Sequence, residues 1–334
     1  MRKYLAILIV VTLIISMCAF AACDKGELTP GGELTLYVPD GAPALSVAKI
    51  VSDGKVGKYD VKTEVTTGEN VVAKCASGEA DLAVLPTNAA VKICNTRSDY
   101  QIFSVNVYGV LYIVGTEHIE SISDLKGETL YSIGQANTPE YVFKTICDNA
   151  GVGYVDVDDS SAIDGNKVNI LYQTDASTII PQIIAGKVKF ALIGEPAVTQ
   201  LQNKAASLGK TVETLFDLQQ EWKTATGSNE EGYPQASMIV KKKLLTNKFA
   251  EQLLKALQAN SEFAVSHCDE LNDIMSGAGS SLNLNYTAAL LARCNLKAIS
   301  ASSAKEDIER YLSTFQAMAQ FLPLKDGIIY EANN

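Results

Sequence analysis

At 334 residues the chain has room for two domains of ordinary size. Its 47% hydrophobic and 20% charged residues make a globular composition, which excludes disordered and fibrous classes. A formal net charge of −10, without any basic run, excludes nucleic acid as a partner.

Residues 1–23 read as a secretory leader, with Arg2 and Lys3 followed by an apolar run from Leu5 to Ala22. Its end, Phe20-Ala21-Ala22-Cys23, resembles the lipobox of bacterial lipoproteins, whose usual form is Leu-Ala/Ser-Gly/Ala-Cys. In that family the cysteine is lipidated and becomes the mature N-terminus. Phe20 departs from the usual leucine, Ala19-Phe20-Ala21 also suits an ordinary signal peptidase, and the run approaches the length of an uncleaved anchor. The lipoprotein reading is favoured because the leader stops at a cysteine and a polar tether, residues 24–32, follows. Cys23 is then the lipidation site, and the outer face of the cytoplasmic membrane the location. Beyond the leader, Cys75, Cys94, Cys147, Cys268 and Cys294 are scattered, with no CxxC or Cys/His cluster, so neither a metal nor another cofactor is expected. They read as buried free thiols, with a Cys75–Cys94 or Cys268–Cys294 disulfide left open.

Residues 33–38 alternate as a strand and run into Pro39-Asp40-Gly41-Ala42-Pro43-Ala44, a turn-rich loop ahead of a helical pattern. A strand over 61–66 and a helix over 69–77, closed by Gly78, come next. Gly78-Glu-Ala-Asp-Leu-Ala-Val-Leu85 is then a helix-ending glycine and an apolar strand, and Pro86-Thr87-Asn88 opens another helix. The spacing predicts one long β run over 100–114 with Gly109 near its middle, then a helical turn over 122–127 and a strand over 129–133. That strand empties into Gly134-Gln135-Ala136-Asn137-Thr138, ahead of a helix over 140–149. A strand over 168–172 and a helix over 177–185, capped by Ser177 so that Pro181 stays within its first turn, precede Gly186-Lys-Val-Lys-Phe-Ala-Leu-Ile193 and Glu195-Pro196. This last unit repeats the pattern of 78–88 about a hundred residues later.

Polar helices are expected over 197–208 and 212–226, a second β run over 233–240, and helices over 244–268, 284–298 and 305–321. Alternating strands and helices imply parallel sheets covered on both faces. The two long β runs imply crossings between two bodies, 33–106 joined by 236–334 and an inserted 107–235. Each strand in the repeated units delivers the chain to a helix start, where unpaired N–H groups can hold acceptor atoms.

Gly78-Glu-Ala-Asp-Leu-Ala83, Asp124-Leu-Lys-Gly127, Gly186-Lys-Val-Lys-Phe-Ala191 and Glu195-Pro196 together resemble the substrate-binding proteins of bacterial ABC importers. More narrowly they are similar to the nitrate/sulfonate/taurine and thiamine-precursor (SsuA/THI5-like) branch, over roughly residues 33–325. Lys189 departs from the acidic residue common in that branch. The resemblance implies an α/β, two-lobed type II periplasmic-binding-protein fold with the two β crossovers as hinge. It also implies a monomer that binds a small molecule without catalysis and delivers it to a permease and its ATPase.

Carried onto this sequence, the ligand loops fall at Asp40, Gly41 and Ala42; Pro86, Thr87 and Asn88; Gln135, Ala136, Asn137 and Thr138; and Glu195. Tyr108, beside the first crossover, is the leading aromatic candidate, while Trp222 on a helix face reads as core. Glu195 has two readings, selecting a ligand amine or ring N–H, or complementing a helix dipole. The expected ligand is a small organic molecule with a planar or anionic part. An enzyme on the same fold, of the thiamine-pyrimidine-synthesis or chorismate-dehydratase kind, is the alternative, and the leader argues against it.

Overall fold

A computed structural model describes residues 32–161, 163–228, 231–282 and 284–332. The expected lipidation site Cys23 and the tether residues before 32 lie outside this range. Two sheets organise the chain. The first contains β1 (Glu33–Pro39), β2 (Lys55–Val56), β3 (Tyr59–Thr66), β4 (Leu82–Pro86) and β5 (Tyr100–Val107). The second contains β6 (Leu111–Gly115), β7 (Thr129–Ile133), β8 (Tyr154–Val157), β9 (Val168–Gln173), β10 (Phe190–Gly194) and β11 (Glu213–Asp217). The chain then returns to the first sheet with β12 (Ala236–Lys241) and β13 (Leu296–Ser300). The strand orders are β13-β5-β12-β4-β1-β3-β2 and β11-β6-β10-β7-β9-β8.

The repeated units occupy equivalent places. β4 lies parallel to β1 on one side and antiparallel to the returning strand β12 on the other. β10 lies parallel to β7 and antiparallel to β6, the strand that has just crossed. Leu82–Leu85 and Phe190–Ile193 are buried on both faces, which is why these segments are continuously apolar rather than alternating. Gly78 closes the Gly68–Ser77 helix in the left-handed conformation (φ 81°), where a side chain would be strained.

The expected 100–114 run is two strands. Gly109, at φ 76°, breaks it, and the short span between β5 and β6 carries the chain from one sheet to the other. Three other expectations change. Residues 213–217 and 296–300 are edge strands rather than parts of helices, and 154–157 is an edge strand that was not anticipated. The 244–268 helix is broken into Asn247–Gln258 and Asn260–Ser266. Finally, Asp175 and not Ser177 caps the Ala176–Ile184 helix, accepting the Ser177 and Thr178 N–H groups, so Pro181 falls beyond the first turn.

From Glu33 onward the described chain forms one compact unit. One apolar core runs between the sheets, because the C-terminal segment packs on the helices of the second. Tyr311, on the Lys305–Ser313 helix, hydrogen-bonds Thr138 Oγ1 at 2.7 Å and stacks on Tyr233, with ring centroids 5.7 Å apart. Trp222 and Phe315 close the same aromatic cluster.

Candidate functional site

The C-terminal ends of strands from both sheets meet around a cavity of about 680 Å³. The first sheet contributes the turn after β1 (Pro39–Gly41) and the turn after β3 (Val65–Gly68). The second contributes the helix starts at Asp175–Ser177 and Pro196–Ala197, together with Gln200. A distant loop, at Gly279 and Ser281–Leu282, completes the wall. The volume suits a small organic molecule. Among the described residues that line it there is no lysine or arginine, and the two acids present, Asp40 and Asp175, are already engaged.

Asp40 accepts the Gly41 N–H (2.9 Å), the Ser280 hydroxyl (2.6 Å) and the Ser281 N–H (2.9 Å) and hydroxyl (3.0 Å). Its carboxylate therefore fastens the 279–282 loop to the β1 turn. Gly41 has φ 94°, and a Cβ there would lie 3.9 Å from Pro196 Cδ, so the turns of the two sheets nearly touch at one rim. Ala42 is buried in the short helix behind.

Glu195 precedes the Ala197–Ser207 helix through a cis peptide to Pro196. Its buried carboxylate accepts the Thr199 N–H (3.1 Å) and hydroxyl (3.0 Å), and pairs with Arg293 Nε at 2.8 Å. Burial pushes its pKa up, opposed by the Thr199 N–H and the Arg293 charge. The carboxylate thus sits at a helix start, and Pro196 beside it faces the cavity.

The other two expected loops meet each other beside the cavity rather than lining it. Asn88 Nδ2 donates to Asn137 Oδ1 at 3.4 Å. Pro86 caps the Thr87–Thr96 helix, and Thr87 is committed to the returning strand, its hydroxyl 2.8 Å from Ser237 Oγ. Gln135 and Ala136 are exposed, and the Ala136 N–H already donates to Glu140 at 2.7 Å. Thr138 is buried against Tyr311. Asn88 Oδ1 is buried with no hydrogen-bond partner, a costly condition for an acceptor. Tyr108 is buried at the crossover, its ring beneath Lys297 Nζ (5.1 Å), in contact with the aromatic cluster and away from the cavity.

Sequence reasoning missed the 66–68 turn, Asp175, the 279–282 loop and Arg293. Thr66-Thr67-Gly68 and Asp175-Ala-Ser177 had a usable signal, a strand ending on capping residues before a helix. The 279–282 loop and Arg293 had none, because their partners lie far away in sequence. Among the described residues, no helix is long and apolar enough to cross a membrane, and no group of three His, Cys, Asp or Glu could hold a metal.

Comparison with solved structures gives broad matches at low identity. An ABC transporter protein from Parabacteroides distasonis aligns at 21% identity and TM-score 0.73, over 90% of this chain and 99% of that one. The periplasmic aliphatic sulphonate binding protein SsuA from Escherichia coli aligns at 13% and 0.61, over 90% and 93%. The alkanesulfonate-binding protein SsuA from Xanthomonas axonopodis pv. citri, bound to MOPS, aligns at 11% and 0.56, over 91% and 96%. Comparison with curated proteins gives no match. The architecture is therefore the two-lobed type II periplasmic-binding-protein fold. The family described as NMT1/THI5 like matches residues 60–271, more than half of the chain, and the protein belongs to that family.

Proposed function

We propose that this protein is the extracytoplasmic solute-binding component of an ABC importer. It captures a small organic ligand between two lobes, 33–106 with 236–334 and 107–235, and delivers it to a membrane permease with its ATPase. The reading rests on one observation above all: the cavity is bounded by strand ends from both sheets, so a bound molecule stabilises their approach by its differential affinity for the closed arrangement. The descriptions of structural neighbours as an ABC transporter, a ligand binding component of an ABC-type import system and a periplasmic sulphonate binding protein support it. Export, lipid attachment at Cys23 and a monomeric state belong to the same proposal.

Of the two ligand characters the sequence suggests, the planar one fits better than the anionic one. The described lining offers no lysine or arginine as counter-charge to an oxyanion. In this proposal Asp40, Gly41 and Pro196, which line the cavity, form the contact surface, with Ala42, Asn88, the 135–138 loop and Glu195 behind or beside it. A thermal-shift screen of the mature protein against pyrimidines, thiamine, riboflavin, amines, sulfonates and nitrate tests it. A specific ligand raises the melting temperature with its concentration, and Ala197→Trp, which puts a bulky indole into the cavity, abolishes the rise. Binding that survives Ala197→Trp refutes the site. Turnover of a bound compound by the purified protein refutes the transport role in favour of the enzyme alternative.

A further inference from the structure

Arg293 ends the Ala288–Arg293 helix, three residues before β13 of the first sheet. That helix packs against Asn260–Ser266, which in turn packs on Ala48–Asp53, so its body belongs with the first sheet. The Arg293 side-chain partners Glu195, Tyr112 and Thr214 all belong to the second. Nε meets Glu195 Oε1 at 2.8 Å, the guanidinium covers the ring of Tyr112 on β6 at 4.8 Å, and Nη2 reaches Thr214 Oγ1 on β11 at 3.4 Å. The Tyr112 hydroxyl donates back to the Arg293 carbonyl at 3.3 Å.

The two ends of the pair are unequal. The Glu195 side chain is fully buried, whereas that of Arg293 is 33% exposed. An arginine suits such a place, since a planar fork can stack on a ring and still donate in its own plane. If the lobes part, Arg293 passes into water at little cost. Glu195 is left with Thr199 as its remaining donor. Stripping a desolvated carboxylate of its cation is expensive, so the charge disfavours the first step of opening. Glu195 also starts the helix whose Pro196 and Ala197 line the cavity, so the state of the pair bears directly on that wall.

We propose that Arg293 is an inter-lobe latch and a positioning residue: it holds the two sheets together through Glu195, and keeps the Pro196–Ala197 wall in its ligand-facing place. The proposal rests on the two-lobe reading above, but its test needs no ligand. Spin labels are placed on the two sides at the exposed positions Lys62→Cys and Lys187→Cys, with Cys268→Ser removing the one cysteine among the described residues that is not buried. Inter-label distances are then measured in the otherwise wild-type protein and with Arg293→Gln, Glu195→Gln, both together, and Arg293→Lys.

The expected result is a lengthening of the mean distance by about 2 Å or more, or a matching broadening, in Arg293→Gln. Glu195→Gln removes the charge that makes opening costly and should have the same effect, the double variant should add nothing, and Arg293→Lys should restore part of the wild-type distribution. An unchanged distribution in Arg293→Gln overturns the latch. Equal effects of Lys and Gln overturn it too, because they mark a packing role that does not depend on charge. Cooperative thermal unfolding of Arg293→Lys serves as the check that the fold is intact. The outcomes separate from the importer reading: failure of the latch leaves the ligand screen untouched, and a failed screen leaves the distances interpretable.

Discussion

The side chain of Gln219 offers a quantitative test of how the crossover is built. It is 4% exposed and serves the backbone of the strand that has just arrived from the first sheet. Its Oε1 accepts the Leu111 N–H at 2.9 Å and the Tyr233 hydroxyl at 3.2 Å, and its Nε2 donates to the Leu111 carbonyl at 3.1 Å and to Asp217 Oδ1 at 2.7 Å. Gln219→Met keeps the length of the side chain and removes every one of these bonds. Two buried backbone groups of Leu111 then lose their partner, at about 1–3 kcal/mol each, so the variant should lose about 2–6 kcal/mol. At roughly 2 °C per kcal/mol for a chain of this size, the melting temperature falls by about 4–12 °C. Urea unfolding of the mature protein measures the loss as a shift in midpoint at constant slope. A loss below about 0.5 kcal/mol, the range of an ordinary surface substitution, refutes the argument that this amide stands in for missing sheet partners.

Three further outcomes are expected. Asp40→Ala releases Ser280 and Ser281 and should cost about 1–3 kcal/mol, with faster amide hydrogen exchange around Ser281 and no change at the crossover, read by exchange mass spectrometry. Burial holds the Asp217 carboxyl above its ordinary 3.8. A raised folded-state pKa contributes stability that is complete below 3.8 and lost as pH rises through the folded value. Asp217→Asn should therefore flatten the decline of the urea midpoint over that window, and an unchanged slope counts against the assignment. In native protein Cys268 should be alkylated first by iodoacetamide, because Cys75 and Cys147 are buried with pKa values pushed up to about 12, and Cys94 and Cys294 are raised likewise. Mass spectrometry counting more than one early adduct contradicts this.

What could be read from the sequence was what neighbouring residues determine together. Gly78 and Gly186, each followed within a few residues by four apolar positions, announced β4 and β10 because a helix stop and a doubly buried strand are both local signals. The chain's exit after Val107 and return at Ala236 were legible for the same reason, as long β-rich stretches between helical patterns. The edge strands were not. Glu213–Asp217 runs from exposed to half-covered and Leu296–Ser300 is half-covered throughout, neither with any alternation, so only their partners β6 and β5 make them strands. The wall of the candidate cavity was partly legible: strand-end turns pointed to Asp40, Gly41 and Pro196, whereas Arg293 reaches Glu195 across about a hundred residues of intervening chain, and no spacing rule encodes that. Asn88 and Asn137 look alike in sequence, as polar residues at helix starts, and only the fold turns them towards each other.

The contact of Tyr311 with Thr138, Trp222 and Tyr233 carries a consequence for how the protein matures. Thr138, Trp222 and Tyr233 are synthesised long before the ring that covers them, which lies in the last tenth of the chain. The aromatic seam of residues 138, 222 and 233 therefore stays uncovered until residue 311 has left the ribosome. A chain truncated near residue 300 would keep all the described strands and still lack the cover for that seam.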